Sequence, residues 1–222
     1  MIGFLCISIL TMYIRELRIE NTPLEPDQVE ITNKGPIVAA IDPLTYRSTA
    51  NSVVEKFDER HAIIISGPIT NETAEKFEAA LTDETETVII ASPGGDLIPA
   101  IKISRLVFIH QLATLVPQRG MCYSACTMIF QAGFHRLAYA DSMFMYHSAK
   151  EVNEKTGESR PDQSATAFYW SYLLLFNIND QLLYQLKDMN TDYYIKAPNA
   201  VKYNVVQEII PVDTPNQKVY VD

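Results

Sequence analysis

The chain has 222 residues, a hydrophobic fraction of 47% and a formal net charge of −9. This length is enough for one domain with a substantial hydrophobic core. The acidic charge argues against a nucleic-acid-binding surface, which would need basic side chains to neutralise phosphates, and the sequence contains no phosphate-binding loop, internal repeat or low-complexity tract.

The first segment, Met1 to Ile14, is almost wholly apolar. A membrane-spanning helix needs about 20 apolar residues, so this segment is too short to span, although it suits the apolar core of a signal or an anchor. Arg15 and Arg18 follow it and would keep the rest of an anchored chain cytoplasmic. A misassigned start codon, or a hydrophobic element packed on the core, explains the pattern equally well. We divide the chain into a hydrophobic segment (1–20), an irregular proline-containing lead-in (21–58) and a main domain (59–222).

Strands and helices alternate in the first half of the main domain. An apolar strand is predicted over Ala62–Ile65, and a helix with a capping-box start over Thr70–Leu81. A second buried strand follows over Thr87–Ala91, and a second helix over Leu97–His110. Alternation of this kind predicts βαβ units that form a parallel sheet.

The strand at 87–91 ends abruptly in Ser92-Pro93-Gly94-Gly95. Glycine has no Cβ, so a strand that ends in paired glycines can present a backbone N–H to a developing oxyanion. An ordinary strand-to-helix turn has the same sequence, and that alternative stays open on this motif alone.

Ser124 lies at a second junction of strand, turn and helix. Leu112–Val116 reads as a strand, Arg119-Gly120 as a turn, and the run from Ser124 to Phe130 as the start of a buried helix. A serine at such a junction is held by the backbone, and the N–H of the residue after it can serve an oxyanion. Two cysteines flank the serine, and they are interpreted equally well as a disulfide or as two buried thiols. With no nearby Cys-His pair they do not make a zinc site, so we expect no metal.

His147 is the candidate base for this serine, whose hydroxyl is a weak nucleophile at neutral pH. It ends the apolar run that begins at Met143, so we expect it at the end of a strand. The other histidines, His61, His110 and His135, are expected at surface or capping positions.

The longest predicted helix runs from Gln163 to Lys187. Five aromatic residues crowd into it: Phe168, Tyr169, Trp170, Tyr172 and Phe176. They cannot all lie on one core-facing stripe of a helix that turns every 3.6 residues. The outward aromatics indicate an oligomer interface, a membrane-facing surface or additional core.

Taken together, these motifs resemble the successive landmarks of the Clp protease proteolytic subunit. The matching stretches are Gly67-Pro68-Ile69, Ser92-Pro93-Gly94-Gly95, Ser124-Ala125, Met145-Tyr146-His147 and the segment Thr191–Tyr203. The resemblance implies an α/β fold, the spiral of ββα units of Clp and crotonase proteins with a helical handle that packs subunits together. It also implies a cofactor-free serine peptidase acting on peptides or proteins, with Ser124, His147 and Asp192 as the triad. The N–H groups of Gly95 and Ala125 carry over as the oxyanion hole, and residues 59–222 as the catalytic domain.

Two departures qualify the resemblance. The stretch from Gly120 to Thr127 resembles more closely a Clp-like group of predicted exported or membrane-associated bacterial proteins, in which cysteines flank the serine. We therefore expect a membrane-associated or exported, periplasmic location over a cytoplasmic one, with membrane contact through residues 1–14. The loop from Gly67 to Val88 looks shorter than in barrel-forming Clp subunits, which argues against a double ring with an ATP-dependent unfoldase.

Other functions fit the same fold. Acyl-CoA hydratases and isomerases also stabilise an oxyanion with glycine-bearing turns, but they do not need a Ser/His pair. Related signal peptide peptidases use a serine with a lysine base, yet Lys150 and Lys155 lie too close behind His147 for that pattern. A catalytically silent binding or scaffold protein is the remaining alternative, because spacing alone does not show that a triad assembles.

Overall fold

A computed structural model describes residues 51–58, 61–152, 156–186 and 191–212 of the chain. The strands are β1 (Val53–Phe57), β2 (Ala62–Ser66), β3 (Thr87–Ala91), β4 (Ala113–Val116), β5 (Met121–Tyr123), β6 (Arg136–Tyr139), β7 (Met143–Tyr146), β8 (Lys150–Val152), β9 (Ser159–Pro161), β10 (Tyr193–Lys196) and β11 (Glu208–Ile210). The helices are α1 (Asn71–Ala80), α2 (Leu97–Ile109), α3 (Cys126–Gln131), α4 (Gln163–Leu175), α5 (Asp180–Gln185) and α6 (Ala197–Ala200), the last continuing as a 3₁₀ turn over Val201–Tyr203. The apolar segment at 1–14 and most of the predicted lead-in lie outside the described residues.

Six strands form the main sheet in the order β1-β2-β3-β4-β6-β11. All neighbours pair in parallel except β1, which runs antiparallel to β2 at the edge. The predicted βαβ arrangement is therefore confirmed. Residues 53–57 form this regular edge strand, whereas the sequence predicted irregular structure there.

The core lies where helices cover this sheet. Every residue of β2 and β3 is buried, as expected for strands covered on both faces. Helix α1 begins at the predicted capping box, in which the Thr70 side chain accepts from the Thr73 N–H and the Thr73 hydroxyl accepts from the Thr70 N–H. The Phe77 side chain of this helix is wholly buried in the hydrophobic core.

A smaller sheet has the order β10-β7-β5. Strand β7 lies in the middle and pairs in parallel with β5 and antiparallel with β10. The two sheets are joined where Ser92, just after β3, forms a parallel bridge to Cys122 in β5. This small sheet brings together the chain segments that contain the predicted site residues.

The long helix predicted over 163–187 is two helices instead. Helix α4 ends at Leu175, and Asn177 then adopts the left-handed conformation with φ 62°. The Asn179 side chain caps α5 by accepting a hydrogen bond from the Gln181 N–H at 2.8 Å. Asparagine tolerates both conformations well, which explains why the helix stops here. No helix among the described residues is long and apolar enough to cross a membrane.

The C-terminal segment is tied to the sheet through Arg136, a buried residue at the start of β6. Its guanidinium donates to the carbonyls of Val205 at 2.9 Å, Asn204 at 3.2 Å and Gly133 at 3.3 Å. Its own N–H donates to the Gln207 side chain at 2.9 Å. Strand β11 then pairs in parallel with β6.

Candidate active site

Ser124 occupies a sharp turn between β5 and α3. Its φ is 53°, in the left-handed region that a non-glycine residue adopts only at a cost of about 1–2 kcal/mol. The Ser124 N–H donates to the Met145 carbonyl at 2.8 Å, and the Thr127 N–H donates to the Ser124 carbonyl at 2.9 Å. The backbone thus holds the serine in a strained conformation, with its side chain half-buried.

A disulfide between Cys122 and Cys126 closes this turn around Ser124. The sequence left open whether these two residues are bonded or are separate thiols. Their Cα atoms lie 5.3 Å apart, and both side chains are fully buried. The cross-link therefore joins the middle residue of β5 directly to the first residue of α3.

His147 follows β7, at the strand end predicted from the sequence. Because β5 and β7 are parallel and Tyr123 pairs with Met145, the residues after both strands emerge at the same edge. The distance from His147 Nε2 to Ser124 Oγ is 2.6 Å, a short hydrogen bond. Burial lowers the pKa of His147 below its ordinary value, and the Lys150 charge lowers it further, while Asp192 opposes both effects. The imidazole is therefore neutral at neutral pH and able to accept the serine proton.

Asp192 stands on the other side of the imidazole. It immediately precedes β10, whose Tyr193 pairs with Tyr146, so the antiparallel register places Asp192 beside His147. The Asp192 Oδ1 to His147 Nδ1 distance is 3.6 Å, within the range of an ion pair but too long for a hydrogen bond. Accordingly His147 Nδ1 has no hydrogen-bond partner among the described residues. We treat the contact as electrostatic, with the Asp192 side chain 42% exposed.

The Pro-Gly-Gly turn after β3 packs against the serine turn. A Cβ on Gly94, whose φ is +97°, would lie 2.8 Å from Ser124 Cβ and 3.2 Å from the Ala125 nitrogen. A Cβ on Gly95, at φ +147°, would lie 2.2 Å from the Ile69 carbonyl oxygen. Both positions thus require glycine, and the stretch runs directly beside Ala125.

The two predicted oxyanion donors are backbone amides without an acceptor. Within the described part of the chain, neither the Gly95 N–H nor the Ala125 N–H donates a hydrogen bond. Ala125 is fully buried, and buried amides are almost always paired. An amide left free in this position is available to an acceptor supplied by a ligand.

The remaining histidines lie away from this cluster, as predicted. His61 and His110 are exposed next to β2 and α2, and His135 Nε2 lies 3.2 Å from the Glu208 carboxylate. Among the described residues, no group of three or more His, Cys, Asp and Glu side chains is arranged to hold a metal ion.

Two residues that contact the serine turn were not predicted from the sequence. Thr127 Oγ1 donates to the Ser124 carbonyl at 2.7 Å, and the Tyr169 hydroxyl lies 3.3 Å from the same oxygen. Thr127 lies within the predicted helix, but nothing in its neighbours distinguishes it from a core threonine. Tyr169 was identified only as one of several aromatics, since its contact depends on how α4 docks.

Comparison with known proteins identifies related chains. A family model described as Clp protease matches residues 46–168, more than half of the 222 residues. Among solved structures, a membrane-bound stomatin-specific protease superposes with a TM-score of 0.55 at 17% identity, covering 67% of this chain and 77% of that chain. The ClpP protease catalytic domain from Plasmodium falciparum superposes with a TM-score of 0.54 at 21% identity, covering 72% of this chain and 90% of that chain. No curated protein sequence matches the chain. The solved structures confirm the predicted α/β fold of the Clp type.

Proposed function

The chain belongs to the Clp protease family, and we propose that it is a serine peptidase that uses Ser124, His147 and Asp192. The observation that carries the proposal is the 2.6 Å contact between His147 Nε2 and Ser124 Oγ, formed at a serine with φ 53°. A nucleophile, a base within hydrogen-bond reach and a third group beside the base are the features expected of covalent acyl transfer.

Acylation begins when His147 Nε2 accepts the Ser124 hydroxyl proton. The serine oxygen then attacks the peptide carbonyl carbon, and the resulting oxyanion accepts hydrogen bonds from the Gly95 and Ala125 N–H groups. His147 passes its proton to the leaving amine as the C–N bond breaks. The same imidazole then takes a proton from a water molecule, which attacks the carbonyl carbon of the acyl-serine ester. As the C–O bond to Ser124 breaks, His147 gives that proton to Ser124 Oγ, and the carboxylic acid leaves.

In this mechanism, Asp192 stabilises the imidazolium form of His147. At 3.6 Å from His147 Nδ1, its carboxylate stabilises the protonated ring mainly through charge. Its role in ring orientation requires the shorter contact that catalytic groups often make only when substrate is bound.

A fluorophosphonate probe tests the assignment, because it phosphonylates an activated nucleophile and leaves ordinary serine hydroxyls unmodified. We expect one labelled peptide, containing Ser124, and complete loss of labelling in Ser124→Ala. Ser171→Ala is the matched control, since Ser171 is exposed on α4 and its hydroxyl donates to the Ala167 carbonyl of its own helix. Undiminished labelling of Ser124→Ala would show that the assignment of Ser124 as the nucleophile is wrong. So would labelling that maps to the Cys126 thiol and is lost in Cys126→Ala.

Peptidase activity needs its own measurement. We expect the wild-type chain to cleave members of a peptide library followed by mass spectrometry, and Ser124→Ala to cleave none. A wild type that is labelled at Ser124 but cleaves no peptide would instead favour a catalytically silent or acyl-transfer protein.

We also propose that the chain self-associates through α4. Phe168, Leu174 and Leu175 are 37%, 46% and 45% exposed on this helix. Phe168 and Leu175 lie two turns apart and so on one side, and exposed apolar side chains of this size mark contact surfaces. Light scattering at micromolar concentration should give a mass above the 25.1 kDa monomer, and Leu174→Ser/Leu175→Ser should lower it. A strictly monomeric wild type would contradict this proposal.

We further propose that the chain works in an oxidising compartment outside the cytoplasm. The closer resemblance to exported or membrane-associated Clp-like proteins rests on the cysteines around Ser124. The disulfide between Cys122 and Cys126 supports it, because such bonds persist outside reducing compartments. Fractionation of cells that produce the chain should recover it outside the cytoplasm, and a cytoplasmic pool with both thiols reduced would contradict this proposal.

A further inference from the structure

Three hydrogen-bonding groups lie close to the carbonyl oxygen of Ser124. The Thr127 N–H lies 2.9 Å away, the Thr127 hydroxyl 2.7 Å away and the Tyr169 hydroxyl 3.3 Å away. The two hydroxyls also contact each other at 2.5 Å. Helix α4, through Tyr169, is thus connected to the backbone of the serine turn across a gap of 45 residues in sequence.

The protons in this cluster can be assigned. A carbonyl oxygen only accepts, and each hydroxyl has a single proton to donate. One hydroxyl must therefore donate to the Ser124 carbonyl while the other donates to its hydroxyl neighbour. The shorter distance, 2.7 Å against 3.3 Å, favours Thr127 as the donor to the carbonyl and Tyr169 as the donor to Thr127 Oγ1. Tyr169 is 2% exposed, and burial raises the pKa of its hydroxyl, so it remains a donor throughout the neutral pH range.

The Ser124 carbonyl and the Ala125 N–H belong to the same planar peptide unit. In a trans peptide these two groups point in opposite directions, so fixing the carbonyl also fixes the direction of the N–H. That unit follows a residue at φ 53°, which without restraint would relax towards a negative φ. The Ala125 N–H itself makes no hydrogen bond within the described residues.

We propose that Tyr169 is a positioning residue for the oxyanion hole, acting through Thr127 on the Ser124–Ala125 peptide. The inference rests on the proposed function, because it assigns a purpose to the Ala125 N–H in acyl transfer. Tyr169 does not touch the reacting atoms. Its effect should therefore fall on the rate of the chemical step and leave probe binding unchanged.

Tyr169→Phe and Tyr172→Phe form a matched pair that tests this. Both remove one buried hydroxyl from α4, but the Tyr172 hydroxyl donates to Ser104 Oγ at 2.8 Å, away from the serine turn. We expect the limiting rate of Ser124 phosphonylation by a fluorophosphonate probe to fall roughly tenfold in Tyr169→Phe, with unchanged probe half-saturation. This is less than the 10² to 10³ lost with an oxyanion donor itself, since only one neutral hydrogen bond is removed. Tyr172→Phe should change the limiting rate by less than about twofold, the precision expected of a distant site.

Thr127 provides the second arm. Thr127→Ser keeps the hydroxyl and should react like the wild type, whereas Thr127→Val should lose about as much as Tyr169→Phe. The double variant Thr127→Val/Tyr169→Phe should lose no more than either alone, because both act through one chain of hydrogen bonds. The melting temperatures of all variants separate this effect from loss of folding: the two tyrosine variants should be destabilised alike and differ only in rate.

The outcomes distinguish this inference from the function beneath it. If the wild type is labelled at Ser124 but Tyr169→Phe and Tyr172→Phe react equally fast, the positioning role is wrong and the peptidase proposal stands. If Tyr169→Phe changes probe half-saturation and not the limiting rate, the residue shapes the binding site instead. If the wild type is not labelled at all, both proposals fall.

Discussion

Removing the disulfide tests how the strained serine turn is held. Replacing Cys122 and Cys126 together by alanine deletes a cross-link between residues four apart in sequence. For a loop of this size, the chain-entropy relation gives about 2 kcal/mol at 25 °C through the unfolded state. Ser124 at φ 53° stores about 1–2 kcal/mol within the same loop. The free energy that the disulfide contributes to stability is thus similar to the backbone strain energy at Ser124. Loss of the disulfide should therefore destabilise the fold and also allow the turn to relax.

Urea unfolding under oxidising conditions measures the first effect. We expect the double variant to unfold with a free energy about 2 kcal/mol lower than the wild type and an unchanged slope against urea. Cys6→Ala is the control, because Cys6 is the one of three cysteines outside the disulfide. Titration of the denatured, unreduced wild type should find a single reactive thiol. Three reactive thiols, or a free-energy change below about 0.5 kcal/mol, would refute the reasoning.

Three further predictions concern the site itself. Asp192→Asn should slow peptide hydrolysis by about 10⁴ in kcat without unfolding the chain, and an unchanged rate would show that Ser124 and His147 act as a dyad. Gly95→Ala should abolish probe labelling, because the new Cβ would lie 2.2 Å from the Ile69 carbonyl oxygen at φ +147°; full labelling of a folded variant would mean that this turn does not line the site. The labelling rate should rise with pH through a midpoint below 6.5, where His147 loses its proton, and Lys150→Gln should move that midpoint upward. Since the folded pKa of His147 lies below its unfolded value, stability should be full above the unfolded value and decrease as pH falls through the folded one. A midpoint above 6.5 in the wild type would contradict the burial of the imidazole.

The sequence predicted the parts of the fold that local pattern determines. Strand β3 occupies the predicted residues 87–91, and α1 begins after the predicted cap at Thr70. Both have strong local signals, one a β-branched apolar run and the other a reciprocal hydrogen-bonding pair. The prediction of one long helix was wrong because the apolar residues continue on both sides of Asn177 and Asn179. The non-helical backbone conformations of these two asparagines end one helix and begin the next.

Long-range pairing determines the rest of the site. Ser124 and His147 could be paired from their positions at two junctions, but the three-residue strand β5 that aligns them has no signal of its own. Asp192 was found only through family resemblance, since its placement depends on the register of β10 against β7. The bond between Cys122 and Cys126 depends on their Cα separation of 5.3 Å, which spacing in sequence does not determine.

The contacts of Arg136 have a consequence for synthesis on the ribosome. The guanidinium in β6 depends on carbonyls that follow it by 68 and 69 residues, at Asn204 and Val205. A nascent chain that ends before them would bury a cation without these acceptors, so β6 should remain open until almost the last described residues emerge. Translation therefore delivers Ser124, His147 and Asp192 in that order, all before the main sheet can close at β6 and β11. A stalled, incomplete chain would contain every residue of the proposed triad and still lack the completed sheet.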